Sequence, residues 1–372
     1  MKQSLQRILA LATKELLAVL KDKRSRIVLV VPPLLQLIVF GYAATFDLND
    51  VPIAVYNEDR SAPARELVAH ITGSPHFHLI TRIDHDGQIA PLIDNQDVVA
   101  VVHIGPRFSA DLLKGDTSRL QVIIDGRNSN SALLVQGYLG EIVRDFNLAW
   151  AQRSGLPPPM ATLQVRPWFN SNLESRWFIV PGIIGLLTLV VTTIVTALSV
   201  AREREAGTFD QLLVTPLRPF EILIGKAFPG MLIGALEGSF ILLMTVYWFE
   251  VPLRGSLGAL YLGMFLFLLS AVGIGLMISS LAVTQQQGML GAFLFLVPAV
   301  ILSGFATPIA NMPYAVQLLT TINPLRYFLV ILRGVFLEGD GYAMLFGDYW
   351  SMAIIAIATL TMAGWLFRHR MT

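Results

Sequence analysis

The sequence has no cysteine and few charged residues. The absence of cysteine from all 372 positions excludes disulfide frameworks, thiolate metal sites, iron–sulfur clusters and cysteine nucleophiles. Only 14% of the residues are charged whereas 54% are hydrophobic, and this balance excludes an ordinary soluble protein. The 27 basic and 26 acidic residues give a net charge of +1, so no global field attracts nucleic acid. Nucleic-acid binding is therefore not expected.

Long uncharged stretches predict membrane spans. A helix needs about 20 apolar residues to cross a hydrocarbon layer about 30 Å thick. The stretch 255–325 contains 71 residues without Asp, Glu, Lys, Arg or His and has room for two spans, which the polar run 284–287 separates. The other stretches are 27–46, 178–201, 227–249 and 349–367. The sequence therefore predicts six transmembrane helices.

Basic residues near the span ends predict the orientation of the chain. Seven lysines and arginines but only two acidic residues precede the first span, and Arg368 and Arg370 follow the last. Both termini are therefore predicted to be cytoplasmic. Segment 1–26 has apolar residues at helical spacing and is predicted to form an amphipathic helix on the cytoplasmic membrane surface. A helix packed on a partner protein is the alternative.

Segment 47–176 follows the first span and is predicted to be an external domain. It carries 11 basic and 15 acidic residues, a sign that agrees with an external position. Runs rich in Val and Ile end at turn signals and alternate with helical patterns, which predicts a small α/β domain. The predicted strands are 51–56, 98–104 and 120–124, and the predicted helices are 109–114 and 129–153.

The histidines of this segment give a weak metal signal. His76 and His78 would share one face of a strand and could form half of a metal site. Spacing places no further ligand beside them, and a solvated strand edge explains the pair. No metal site and no catalytic residue are predicted.

The segment 202–216 between the second and third spans carries alternating charges and a helix-ending pattern. Gly207 can adopt the left-handed conformation that ends a helix. Thr208 begins a capping-box pattern with Gln211, and Pro216 forces a stop, which predicts a short, rigid surface helix. The charged side chains that this helix would present to the cytosol are Arg202, Glu203, Arg204, Glu205 and Asp210. A plain amphipathic loop at the lipid headgroups is the alternative.

This segment resembles the corresponding part of ABC-2 type export permeases. Their pattern is Glu-x-Glu-x-Gly-Thr, an acidic residue, a Leu pair and Ser/Thr-Pro. The matching residues are Glu203, Glu205, Gly207, Thr208, Asp210, Leu212, Leu213, Thr215 and Pro216. The run 284–287 and a block that begins at Leu302 and continues through 332–337 are also similar to the family. The likeness covers all six spans and includes the large external insert of one bacterial subgroup.

The resemblance implies a fold, a function and several partners. The fold is an all-α six-helix transmembrane domain of the ABC-2 or type V exporter kind, with a small α/β extracytoplasmic domain inserted after the first helix. The function is that of a multi-pass permease subunit that exports a hydrophobic drug-like or lipid-like compound across the bacterial inner membrane. A separate ATPase would bind ATP and Mg²⁺, with 202–216 as the coupling helix. A second permease copy or a homologous permease, and a periplasmic adaptor (membrane-fusion) protein, are further implied partners.

The sequence itself supports a separate ATPase. A P-loop needs Gly-x-x-x-x-Gly-Lys-Ser/Thr, whereas Gly225-Lys226 has Phe220 at the first glycine position and Ala227 after the lysine. The chain is therefore predicted to be a transport subunit without a cofactor or catalytic activity of its own. A secondary transporter and a membrane-anchored sensor that uses the external domain are the alternatives.

Glu237 is the one acidic residue well inside a predicted span, where a charge costs at least about 2.5 kcal/mol. Gly230, Gly234 and Gly238 recur every four residues on the same helix and predict a groove for close helix packing. Glu237 is therefore predicted either to contact a cationic substrate or stabilise a gate, or to form a structural hydrogen bond between helices.

Prolines break the uncharged stretch after the fifth span. They predict an external re-entrant segment at about 303–337, within a transmembrane domain that comprises residues 177–372. The predicted pathway or gate residues are Glu237, Gln285, Gln286, Asn311, Asn323 and Arg326. The alternative for the polar residues of the re-entrant segment is that they only satisfy broken backbone.

Overall fold

The computed structural model contains two compact units. The helical unit combines Met1–Thr45 with Pro167–Thr372, and the inserted unit comprises Phe46–Arg166. The structure describes residues 2–21, 23–43, 48, 50–155, 168–170, 174–209 and 217–370. The predicted external domain ends at residue 176, whereas the inserted unit ends at Arg166.

Two consecutive helices begin the helical unit. Helix α1 (Lys2–Lys21) buries Leu11 and Val19 on one side, whereas Leu5 and Leu9 on another side are exposed. Helix α2 (Lys23–Ala43) follows and contains an apolar part, Val30–Tyr42, that is shorter than a full span. The buried side of α1 shows that it packs against other parts of its unit and does not only lie on a lipid surface.

The inserted unit is a mixed α/β domain with a four-stranded sheet in the order β2-β1-β3-β4. Strands β1, β2 and β3 are parallel, and β4 is antiparallel to β3. Its elements are β1 (Val51–Asn57), α3 (Ala62–Thr72), β2 (Phe77–Ile83), α4 (Ile89–Asp94), β3 (Ala100–Ile104), α5 (Phe108–Lys114), β4 (Leu120–Ile124) and α6 (Ser129–Ser154). Side chains of α3, α5 and α6 cover one face of the sheet, and those of α4 cover the other.

Three elements of this unit, namely α3, β2 and α4, are not among the predicted strands and helices. Strand β2 is an edge strand in which buried and exposed residues alternate, so it lacks the Val- and Ile-rich run that marked the other strands. Helix α6 faces the sheet with Val135, Leu139 and Phe146. Leu133 near the start of this helix is 67% exposed.

Among the described residues, the rest of the helical unit is a bundle of seven further helices. They are α7 (Ser175–Glu205), α8 (Pro219–Tyr247), α9 (Leu257–Leu281), α10 (Gln285–Ile301), α11 (Tyr314–Thr320), α12 (Pro324–Arg333) and α13 (Phe346–Arg370). A short π-helical segment, Gly334–Glu338, extends α12. Helix α7 has the largest buried fraction of the long apolar helices and packs on α8, α9, α10 and α12.

Within the described ranges, four helices are long and apolar enough to cross a membrane. They are α7, α8, α9 and α13. The pair Tyr314–Thr320 and Pro324–Glu338, bent by 80°, would make a fifth if it were one span. Apolar helices of 10–17 residues are Val30–Tyr42 and α10. The protein is thus mostly helical, with several apolar helices and a small sheet, and the count of six spans stays a prediction.

Glycines on α8 allow close packing against threonines on α7. A Cβ at Gly230 would overlap with Thr196, and a Cβ at Gly234 would overlap with Thr192. Gly238 likewise faces Thr188 and Met264. Because both series recur every four residues in antiparallel helices, they bring α7 and α8 together over a little more than two turns. The predicted groove is therefore present, and α7 fills it.

We expect Gly234→Ala to destabilise the helical unit by about 1–3 kcal/mol, because the added methyl group must displace buried side chains. The measurement is thermal unfolding of the purified protein in detergent. Gly347→Ala is the matched control, since a Cβ at Gly347 meets no atom within 4 Å. Equal stability of the two variants would contradict the close packing.

Candidate functional site

Helix α7 ends in a left-handed glycine. Gly207 has φ +68°. Its N–H donates to the Arg204 carbonyl over 3.1 Å, and the N–H of Thr208 donates to the Glu203 carbonyl over 3.0 Å. These two bonds define a Schellman motif, in which a residue other than glycine would be strained. The predicted left-handed end of the helix is therefore present. We call this end of the bundle, where α7 ends at Glu205 and α8 begins at Pro219, the linker end.

The chain turns inward directly after the Schellman motif. Phe209 is buried and meets the ring of Phe367 edge-on, with 6.0 Å between the centroids. Leu11 of α1 and Ile222 of α8 belong to the same apolar cluster. The start of the linker is therefore fixed by packing to the N-terminal helix, to α8 and to the last helix. Gln211, Asp210 and Pro216 lie outside the described residues, as does the rest of 210–216 in the predicted coupling helix.

A completely buried lysine lies beside this cluster. Lys226 Nζ is 2.6 Å from Glu203 Oε2 at the end of α7 and 3.1 Å from Glu15 Oε1 of α1. It also donates to the Ser199 carbonyl over 3.3 Å. Lys14 Nζ is 2.9 Å from the other oxygen of Glu203. Two cations and two carboxylates thus balance one another, and they join α1, α7 and α8 at the linker end.

The burial of this charge cluster affects the two groups on α1. Burial raises the pKa of the Glu15 carboxyl, the Lys226 ammonium opposes this shift, and the Glu203 carboxylate adds to it. Burial lowers the pKa of the Lys14 ammonium, but the hydrogen bond and charge of Glu203 raise it by more, so that the pKa lies above its usual value. Lys14 therefore stays a cation at neutral pH, whereas the ionisation of Glu15 depends on its contact with Lys226.

The next two charged residues of α7 bind other helices. The guanidinium of Arg204 donates to the carbonyls of Ser280 and Ala282 at the end of α9, over 2.9 and 3.1 Å. Glu205 Oε2 accepts from the backbone N–H and the side-chain amide of Gln285, over 2.9 and 3.1 Å. The ends of α7 and α9 and the start of α10 are therefore held together at the linker end.

These contacts correct one part of the sequence analysis. Glu203 and Arg204 were predicted to face the cytosol with their neighbours, but Glu203 is 7% exposed and Arg204 is half-buried. Charged residues that follow a span usually face water. The buried partners of Glu203 and Arg204 are distant in the sequence, so local patterns did not indicate them. Arg202 is half-exposed and Glu205, Ala206 and Gly207 are exposed, so these four residues give the start of the linker an accessible surface.

The sequence did not indicate that Lys226, Glu15 and Lys14 lie at the linker end together with Glu203. In the sequence, Lys226 was noted only as the lysine of an incomplete P-loop pattern. A usable signal was present, since a lysine two turns into a mostly apolar helix must find a buried counter-ion. The pattern of α1 did not reveal that Glu15 is this counter-ion.

Gln285 and Gln286 do not share a cavity with Glu237. Gln285 pairs with Glu205 at the linker end, and Gln286 is exposed. Glu237 lies instead in a cleft between α2 and α8. Neither of its carboxylate oxygens, both buried, has a hydrogen-bond partner among the described residues. The structure therefore does not show the helix-to-helix hydrogen bond that was the structural alternative for Glu237.

The predicted residues near the bent helix pair have separate contacts. Asn323 caps α12 by accepting from the N–H of Leu325 over 3.1 Å, and its amide donates to the Ala299 carbonyl over 2.7 Å. Arg326 donates to the Thr320 hydroxyl. Asn311 is exposed in a short 3₁₀ turn. Asn323 thus satisfies backbone groups, as one alternative for this region states.

Arg333 is a further polar residue of this region that the site prediction omitted. Its guanidinium carbon lies 4.1 Å from the ring centroid of Phe178, and it donates to the Gly304 carbonyl over 3.4 Å. The resemblance had marked Arg333 as part of a family block, without a role. Through these two contacts, Arg333 joins the start of α7 to the loop before α11.

The two histidines that were considered as half of a metal site, His76 and His78, have ordinary contacts. The ring of His76 stacks on Tyr138 with 4.0 Å between the centroids, and His78 Nδ1 is 3.7 Å from Asp50 Oδ1. In the part of the chain that the structure describes, no group of three or more His, Asp or Glu residues could hold a metal ion.

Comparison with known proteins gives consistent similarities over nearly the whole chain. The family model described as ABC-2 family transporter protein matches residues 23–365. The chain is 38% identical to the probable multidrug ABC transporter permease YbhR of Escherichia coli K12, over 98% of this chain and 99% of that protein. It is 35% identical to the probable multidrug ABC transporter permease YbhS, over 91% and 90%, and 30% identical to the inner membrane transport permease YhhJ, over 99% and 98%, both from the same strain.

We expect Lys226→Met to destabilise the helical unit by about 3–5 kcal/mol, because it leaves two carboxylates without their buried counter-ion. Thermal unfolding in detergent measures the change, with Lys21→Met on the exposed end of α1 as control. Adding Glu203→Gln and Glu15→Gln to Lys226→Met should recover part of the loss. If Lys226→Met alone were as stable as the wild-type protein, this result would contradict a stabilising role for the buried charge cluster.

Proposed function

Because the chain belongs to the ABC-2 transporter family, we propose that it is an export permease driven by a separate ATPase that docks on the linker of residues 202–216. The observation that carries this proposal is the anchoring of the linker. A Schellman motif fixes its direction, and the buried charges of Glu203, Lys226 and Glu15 fix its base to three helices. A force applied to the exposed residues is therefore passed to α1, α7 and α8 together.

The proposed topology has six spans with both termini in the cytoplasm and the inserted unit in the periplasm. The spans are α2, α7, α8, α9, α10 and α13. The bond between Glu205 and Gln285 supports this arrangement, because it places the end of the second span and the start of the fifth at the same end of the bundle. The linker end is then cytoplasmic, and the bent pair of α11 with α12 is a re-entrant segment on the periplasmic side.

The proposed assembly pairs this subunit with a second copy or a homologous permease and with two ATPase subunits, which bind ATP and Mg²⁺. Relatives named as probable multidrug ABC transporter permeases support a hydrophobic, drug-like substrate. A lipid-like compound has the same physical character. An adaptor (membrane-fusion) protein could dock on the inserted unit.

Co-purification tests the docking surface. We expect the tagged permease to retain its cognate ATPase after detergent extraction, and Arg202→Glu to weaken this retention by charge reversal at the half-exposed base of the linker. Arg254→Glu is the matched control, since Arg254 is exposed and belongs to the segment between α8 and α9. Export that persists after deletion of every ATPase gene would refute the function and favour a secondary transporter.

Gly207→Val should uncouple ATP hydrolysis from export. A β-branched residue at φ +68° costs about 1–3 kcal/mol of strain and would redirect the linker at its base. The assay compares ATPase activity with substrate export in proteoliposomes that contain both subunits. Gly341→Val is the control, because Gly341 is exposed and a Cβ there meets no atom within 4 Å. Normal coupling in Gly207→Val at normal expression would argue against the linker as the coupling element.

A further inference from the structure

The cleft between α2 and α8 is a cavity of about 370 Å³ with almost entirely apolar walls. This volume lies within the range of sites for drug-sized ligands. Its walls include Val30, Leu34, Ile233 and Phe240, and its two ionisable residues are Arg26 and Glu237. Leu236 and Phe240, which line the cleft, are 63% and 45% exposed. The cleft is therefore open on the outer surface of the helical unit.

The position of Glu237 along α8 indicates its depth in a bilayer. Ten residues separate it from Tyr247, the last residue of the helix, which corresponds to about 15 Å. Tyr247 and Trp248 are exposed, and Trp248 Nε1 donates to the Tyr42 hydroxyl near the end of α2 over 2.9 Å. Exposed Tyr and Trp residues are typical of the membrane–water interface. Glu237 therefore lies about half-way through a hydrocarbon layer about 30 Å thick.

The carboxylate of Glu237 lacks the partner that this depth demands. Both oxygens are buried, and no described residue gives either of them a hydrogen bond, although Arg26 lines the same cleft. An unpaired carboxylate in hydrocarbon is costly and marks a functional site by default. Among the described residues the Glu237 carboxylate therefore has no counter-ion, and a cationic ligand in the cleft would supply one.

The possible occupants differ in the charge that they bring. A lipid acyl chain would leave the carboxylate uncompensated. A second copy of the chain would do the same, because its stretches 27–46, 178–201, 255–325 and 349–367 contain no Lys, Arg or His. A cation with apolar groups fits both the walls and the carboxylate. The Arg26 guanidinium near the start of α2 disfavours a second positive charge in the same ligand.

We propose that the cleft between α2 and α8 binds lipophilic monocations laterally from the membrane, with Glu237 as their counter-ion. This inference deepens the proposed export function and rests on it for its physiological meaning, because it names the charge and polarity of the substrate. The apolar groups of the ligand lie against both helices, and its charge lies against the carboxylate. Binding requires neither ATP nor the ATPase subunit.

The test uses the purified full-length protein in phosphatidylcholine nanodiscs and radiolabelled tetraphenylphosphonium, with empty nanodiscs as the background. We expect saturable binding to the wild-type protein and a rise in Kd of at least about tenfold in Glu237→Gln. Tetraphenylborate, which has the same shape and the opposite charge, should show no saturable binding. Glu338→Gln, an exposed carboxylate of the same unit outside the cleft, should bind tetraphenylphosphonium as the wild-type protein does.

Two further variants keep the test decisive if Glu237→Gln does not fold. Glu237→Asp retains the charge and should retain binding, whereas Ile233→Trp fills the cleft without changing charge and should abolish binding. Absence of saturable binding to the wild-type protein, equal binding of tetraphenylborate, or unchanged binding in both Glu237→Gln and Ile233→Trp would overturn the proposal. ATP-driven export in a protein that binds no tetraphenylphosphonium would refute only this site, and loss of ATPase co-purification would refute only the proposed function.

Discussion

One buried lysine constrains the end of the bundle on which the proposed function depends. Lys226 lies between carboxylates of two other helices, Glu203 of α7 and Glu15 of α1. Separating any of these groups would leave an uncompensated buried charge, which costs several kcal/mol, about 3–5 by analogy with broken buried pairs. The three helices therefore move together at the linker end or not at all. The N-terminal helix is thus fixed to the same buried charge cluster as α7 and α8.

Helix α8, which carries Lys226, connects the linker end to the cleft. Glu237 follows Lys226 by eleven residues on α8, which is about 16 Å along the helix axis. Between them, Gly230 and Gly234 hold α8 close against the threonines of α7. A shift of α8 at the linker end is therefore transmitted along a tightly packed interface to the region of the unpaired carboxylate. The packing of α8 on α7 therefore links the linker end to the cleft, although the residues of the two sites do not contact each other.

The sequence predicted features that depend on local composition and missed those that depend on distant pairing. Apolar stretches, the small α/β insert, the left-handed Gly207 and the glycine groove follow from residue type and spacing alone. The burial of Glu203 could not be predicted, because its partners Lys226 and Glu15 lie on other helices. Strand β2 was missed because the face of an edge strand that carries His78 and Arg82 is polar. The role of Gln285 as a partner of Glu205 likewise required the packing of α7 against α10.

The most direct test of the account is the accessibility of the linker from each side of the membrane. Because the chain has no cysteine, Ala206→Cys places a single thiol at an exposed position next to Gly207. The account predicts that a membrane-impermeant maleimide leaves this thiol unlabelled in intact cells and labels it in inverted vesicles, and that a short bifunctional reagent cross-links it to the ATPase subunit. Labelling in intact cells would place the linker outside the cell and contradict the account.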